Sequence, residues 1–123
     1  PFAPVSKFED AALALELVGE GSFISGESVL ALLDIGLYNP RKIEVSTTNR
    51  IRTKLPGFIR VKPISSVAPF DVTSTQGVAH QSVFQALAEL RASSDRQQYW
   101  RAATDAQKLG LLSSQQAKAL LQG

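Results

Sequence analysis

The apolar residues of this chain repeat at two different periods, and the period switches twice along 123 residues. Phe8, Ala11, Ala12 and Leu15 recur at the spacing of one helix face. At Ile43, Val45 and Thr47 the period shortens to two, with Lys42, Glu44 and Ser46 between them. From Val83, Phe84, Leu87 and Leu90 onward it is helical again. A period of 3.6 collects side chains on one side of a helix and a period of two on one face of a strand, so neither pattern serves the other element. Two helices, a β-rich middle and three further helices follow in that order. The strands come together without crossover helices, which predicts an α+β fold with a small, mostly antiparallel sheet flanked by about five helices. No linker or repeat divides the chain, so a single domain spans residues 1–123.

Local signals place the boundaries. Pro1–Val5 reads as an extended lead-in, and Ser6 with Glu9 has the spacing of a capping box before a helix that Gly19 and Gly21 end. A second helix is expected over Gly26–Asp34, with Ser25 as N-cap, Gly36 as left-handed exit and Val29, Leu32 and Leu33 as its buried stripe. Thr48–Lys54 is open between a loop and a short strand. Pro56-Gly57 marks a turn, Phe58–Lys62 and Asp71–Thr75 are strand candidates, and Gln76-Gly77 marks another turn. Ser94 with Gln97 and Ser113 with Gln116 repeat the capping-box spacing on either side of Gly110. The expected core holds Phe8, Leu15, Leu32, Ile43, Val45, Val61, Leu87 and Leu90. Tyr99 and Trp100 are expected inside as well, with Leu111, Leu112, Leu120 and Leu121 as the apolar side of the last helix pair.

The chemistry-bearing residues are few. There is no cysteine, which removes disulfides and thiolate metal sites, and His80 is the one histidine. No G-x-S-x-G elbow, P-loop or dinucleotide fingerprint is present. His80, just before a helix, reads as a structural or capping residue. Asp71, Glu44 and Lys42 are the residues a metal-dependent nuclease would draw on, but their spacing does not demand it. These features predict a chain that is not an enzyme and carries no cofactor. The last two helices around Gly110 have the order of a helix-turn-helix, but Lys118 is the one charge on the second, so packing is the better account.

Charge is where the chain departs from a featureless domain. Arg41, Lys42, Arg50, Arg52, Lys54, Arg60 and Lys62 lie within one segment beside a single acid, Glu44. That segment is strongly cationic inside a chain whose net charge is only +2. Such density attracts phosphate backbones or an acidic protein surface. Exposed strands also carry charge simply to discourage edge pairing, and both accounts stand at this point. Hydrophobic residues at 44% and charged residues at 20% describe a folded chain, and no apolar run approaches the roughly 18 residues needed to cross a membrane. A soluble, cytoplasmic protein without membrane contact is expected.

The run Phe23-Ile24-Ser25-Gly26-Glu27-Ser28, the apolar helix ending Asp34-Ile35-Gly36-Leu37, and the strand Lys42-Ile43-Glu44-Val45-Ser46 resemble the AbiE-type antitoxin family. The arginine-rich Arg50–Lys54, the strand Gly57-Phe58-Ile59-Arg60-Val61 and the step Gly77-Val78-Ala79-His80-Gln81-Ser82 continue the likeness in the family's order. Asp34-Ile35 stands where the family prefers a histidine before glycine, and Ala79 where it prefers proline. The resemblance covers roughly Phe8 to Leu121. It implies a bacterial antitoxin and transcriptional regulator, in which a winged helix-turn-helix precedes an effector domain. The partners it implies are operator DNA, held weakly by this part alone, and a nucleotidyltransferase-like toxin. A chain without methionine that starts at Pro1 is expected to be the C-terminal part of such a regulator. The alternatives are a nuclease-like domain and a plain protein-interaction module.

Overall fold

A computed structural model describes residues 4–122, with side chains from Lys7 onward. Five helices and a five-stranded sheet alternate in the order α1 (Pro4–Val18), β1 (Phe23–Ile24), α2 (Glu27–Leu32), β2 (Ile43–Thr47), β3 (Ile59–Pro63), β4 (Val72–Thr75), β5 (Val78–Gln81), α3 (Val83–Leu90), α4 (Arg96–Lys108) and α5 (Ser114–Leu121). This is the α+β class. The strand order across the sheet is β3-β2-β1-β5-β4.

The sheet is mixed, which corrects the mostly antiparallel arrangement expected. β1 pairs antiparallel with β2, and β4 with β5, but β2 runs parallel to β3 and β1 parallel to β5. The inference from missing crossover helices failed because an irregular segment makes the crossover. Residues 48–58 carry the chain from the end of β2 to the start of β3 and pack Ile51, Leu55 and Phe58 against the core in place of a helix. Thr48–Lys54 is therefore loop rather than strand.

Other boundaries moved for local reasons. The first three residues of the expected lead-in lie outside the described ones. Pro4 and Val5 already belong to α1, so Ser6 sits within the helix rather than at its boundary. Proline suits the first helical turn, where its missing N–H has no partner to lose. α2 ends at Leu32 rather than Asp34. Its exit is a left-handed Asp34 (φ 55), with Ile35 N–H bonded to the Leu30 carbonyl at 2.8 Å and Asp34 N–H to that of Ala31 at 3.3 Å, the paired bonds of a Schellman motif. Gly36 is left-handed too, but it serves a later close approach: a Cβ there would fall 2.9 Å from the Ala102 Cβ on α4. The cap of α4 is Asp95, which accepts from Gln98 N–H, while the Ser94 hydroxyl instead accepts from the Tyr38 phenol at 3.0 Å. The capping box of Ser113 and Gln116 forms with both its bonds.

Two strands were not foreseen. β1 is two residues long. β5 occupies the step just before the third helix, where no strand was expected; it returns through a two-residue turn in which Gln76 (φ 50) and Gly77 (φ 79) are both left-handed, the hairpin turn whose twist matches that of its strands. The helix begins only after it, with Ser82 as N-cap.

The core lies between α1 and the sheet and continues through α2 into the C-terminal helices. Ala11, Ala14 and Val18 of α1 are buried, as are Val45, Ile59 and Val78 from the strands. All eight expected core residues belong to this cluster or pack against it. Val45 is fully buried and Lys42 is exposed, so the register of β2 is the expected one. α3 packs on α2, and α4 and α5 pack on α3 and on each other. Tyr99 is buried and donates to the Leu120 carbonyl at 3.1 Å, whereas Trp100, expected inside, is 57% exposed. The buried face of α4 is centred on Tyr99, Ala102, Ala103 and Ala106, and the hundred-degree step of a helix turns Trp100 away from it. Leu112 and Leu120 are buried, while Leu111 is exposed. Desolvation pushes the phenols of Tyr38 and Tyr99 above their ordinary value.

These placements separate two substitutions of large apolar residues. Leu87→Ala, at a fully buried position on α3, is expected to lower stability by about 2–5 kcal/mol. Trp100→Ala is expected to stay within about 0.5 kcal/mol of the parent. Urea denaturation followed by far-ultraviolet circular dichroism checks both, and equal losses would contradict the packing described.

Candidate anion-binding surface

The pleat assigns the basic residues of β3 to a definite face. Ile59 and Val61 point with Ile43 and Val45 toward α1, so Arg60 and Lys62 point to the opposite face, beside Glu44 and Ser46 on β2. Arg41 and Lys42 sit just before β2, where Lys42 is fixed by its backbone. The Ser28 hydroxyl donates to the Lys42 carbonyl at 3.3 Å and accepts from Glu44 N–H at 2.8 Å, strapping the first turn of α2 to the strand. Arg41, Lys42, Arg60 and Lys62 thus meet around one groove. Arg50, Arg52 and Lys54 do not line it; they lie on the crossover 48–58, exposed beside the inward-turned Ile51 and Leu55. The seven cations therefore form two groups.

All seven are exposed. Among the described residues the one ion pair within 4 Å is Lys7–Asp34, so none of the seven has an acid in contact. Arg60 lies directly across from Glu44 in the β2–β3 register, yet the two are not paired. The reason is visible beneath them. The Ser25 hydroxyl donates to Glu44 Oε2 at 2.6 Å and lies 2.8 Å from the Ser46 hydroxyl. Gln81, fully buried, accepts from Gly26 N–H at 3.1 Å and donates to Glu89 Oε2 at 2.9 Å and Gln85 Oε1 at 3.2 Å. Gln85 in turn accepts from Asp71 N–H and donates to the Pro69 carbonyl. Of the three acids at the groove, Glu27, Glu44 and Glu89, the last two are held from below by neutral donors.

Sequence reasoning missed this arrangement because it read Ser25 as a helix cap. The N-cap of α2 is Gly26, which makes no side-chain cap bond. Its φ of 63° and ψ of −143° suit glycine, and a Cβ there would come within 2.8 Å of Glu44 Oε2. The available signal was the small polar pair Ser25-Gly26 directly after the apolar Phe23-Ile24.

The remaining candidates do not assemble. His80 lies on β5 at 2% exposure, with Nδ1 2.8 Å from the Gln81 carbonyl and Nε2 2.8 Å from the Thr75 hydroxyl. A carbonyl only accepts, so Nδ1 carries a proton, and in the neutral ring Nε2 accepts from Thr75. Both ring nitrogens are used within the fold. Asp71 precedes β4, three strand spacings or about 14 Å across the sheet from Glu44 on β2, so the carboxylates imagined for a nuclease are not brought together. Among the described residues no group of three His, Asp or Glu gathers as a metal site. Among the described residues no helix is long and apolar enough to cross a membrane. No protein-family model matches the chain, and no curated protein matches it.

Gln81 is the residue through which β1, β5 and α3 share hydrogen bonds. Gln81→Ala leaves the Gly26 N–H without its acceptor and is expected to cost about 1–3 kcal/mol. Gln97→Ala, at an exposed position on α4, is expected to be close to neutral. Chemical denaturation of the two variants side by side measures the difference, and indistinguishable midpoints would refute it.

Proposed function

We propose that this chain is a partner-binding domain of a regulator of the AbiE antitoxin type, acting in the cytoplasm and without catalysis of its own. Its basic surface adds phosphate-backbone contacts to operator binding whose sequence specificity resides in a winged helix upstream. The observation that carries the reading is the set of seven exposed cations with no acid in contact among the described residues. A surface charged only for solubility intersperses both signs, whereas Arg50, Arg52 and Lys54 lie on a crossover, residues 48–58, that contains no acid. Here the nearest acid on the strands, Glu44, is turned toward Ser25, and the positive charge is left for a partner. The order of motifs from Phe23 to Ser82 supports the family assignment. A protein partner, a nucleotidyltransferase-like toxin, has its own support in the exposed Trp100, since tryptophan is enriched among the side chains that anchor protein interfaces.

Duplex DNA titrated across a range of salt concentrations tests the backbone contacts. Each neutralised phosphate contributes about 0.9 to the magnitude of the log–log slope, so three to five contacts give about −2.7 to −4.5. The double variant Arg50→Ala/Arg52→Ala is expected to flatten that slope by up to about two units and to weaken all sequences alike. Salt-independent binding, or no effect of the double variant, would remove DNA from the account. Loss of affinity for an acidic toxin surface alone would assign the patch to protein.

A further inference from the structure

The groove at β3 differs from the crossover patch in one respect: it contains carboxylates. Arg41, Lys42, Arg60 and Lys62 enclose a pocket of about 420 Å³ together with Glu27, Glu44 and Glu89. That volume falls within the range of small-ligand sites. A bare polyanion gains nothing from three carboxylates in its binding site, because like charges oppose each other there. A ligand that joins phosphate to hydrogen-bond donors uses both signs. Glu44 and Glu89 are fixed for such use. Each has its Oε2 engaged by a neutral donor from within the fold, Ser25 for Glu44 and Gln81 for Glu89. Oε1 of each accepts no hydrogen bond from the described residues, so each carboxylate offers a fixed oxygen. Gly26, with no Cβ, borders the same pocket and keeps the space beside Glu44 open.

We infer that this pocket binds a mononucleotide, with its phosphates among Arg41, Lys42, Arg60 and Lys62 and its sugar hydroxyls or base amino group donating to Glu44 and Glu89. The inference rests on the reading that these cations face an anionic ligand, but it adds a small-molecule site separate from the crossover cations. Duplex DNA fits the pocket less well, since its deoxyribose lacks the 2′-hydroxyl and its base donors are occupied in pairs. Guanidinium and ammonium groups bind phosphate oxygens through charge-assisted hydrogen bonds. No metal is needed for that contact.

The whole 123-residue chain is titrated calorimetrically with each of the four ribonucleoside triphosphates, with inorganic tripolyphosphate and with a short DNA duplex, in the presence and absence of Mg²⁺. At least one nucleotide is expected to bind about tenfold more tightly than tripolyphosphate, and to do so without Mg²⁺. Arg60→Ala, at an exposed position, is expected to weaken nucleotide binding about tenfold. Arg50→Ala/Arg52→Ala is expected to change it less than about twofold while still flattening the DNA salt slope. The most discriminating variant is Glu89→Gln. Removal of one negative charge tightens tripolyphosphate, whereas loss of a charged acceptor weakens the nucleotide. Opposite shifts support the inference. Tightening of both ligands, tripolyphosphate binding as strongly as any nucleotide, indifference to Arg60→Ala, or no nucleotide binding at millimolar concentration would each overturn it. Nucleotide binding without salt-dependent DNA binding would uphold the pocket and remove only the DNA reading.

Discussion

The two-residue strand β1 is the interaction on which the rest of the structure depends. It stands in the middle of the sheet, with β2 and β3 on one side and β5 and β4 on the other. Its residues Phe23 and Ile24 are each 1% exposed, and its backbone pairs in both directions, antiparallel to β2 and parallel to β5. So short a strand offers few ladder bonds. The side chains and backbone just after it supply the rest: Ser25 N–H donates to the Glu44 carbonyl, the Ser25 hydroxyl reaches Glu44 and Ser46, and Gly26 N–H donates to Gln81. A buried polar group of this kind is costly unless it is fully bonded, and among the described residues no buried side-chain nitrogen or oxygen lacks a partner.

That junction also shapes the surface above it. Strands β2 and β3 bring cations and an acid to the same face, which would ordinarily favour contact between Arg60 and Glu44. Hydrogen bonds from Ser25 and Gln81 hold the glutamates instead, and the cations remain without acidic contacts. An exposed ion pair would have returned little, since such pairs contribute about 0–1 kcal/mol. Structural polarity inside and unneutralised charge outside are thus two consequences of one arrangement. The crossover 48–58 repeats the theme in a simpler way, with Ile51 and Leu55 held against the core and Arg50, Arg52 and Lys54 exposed beside them.

What the sequence made legible follows the length of each signal. Five alternating residues from Lys42 to Ser46 announced β2 and its register, because one face of that strand is apolar. The capping box at Ser113 was legible because it is a local exchange of two bonds. β1 left no alternation to read, being two residues buried on both faces, and β5 is buried at Val78, His80 and Gln81, which hides its period as well. The parallel pairing of β2 with β3 depends on how residues 48–58 cross the core, a tertiary fact that no short window contains. Trp100 was misplaced because hydrophobicity was weighed without its angular position on α4. At the surface the seven cations were legible as a segment, but their division into a groove and a crossover patch required the pleat of β3. Glu89 and Gln81 complete the groove from positions far along the chain, beyond the reach of local patterning.

The crossover cations Arg50, Arg52 and Lys54 are where a phosphate backbone is proposed to land. Backbone amide shifts of the isotopically labelled chain, recorded while a short duplex is added at low salt, test that placement most directly. Perturbations are expected first at residues 50–54, fading as salt rises. Perturbations confined to α4 and α5, around the exposed Trp100 and Leu109, would contradict it.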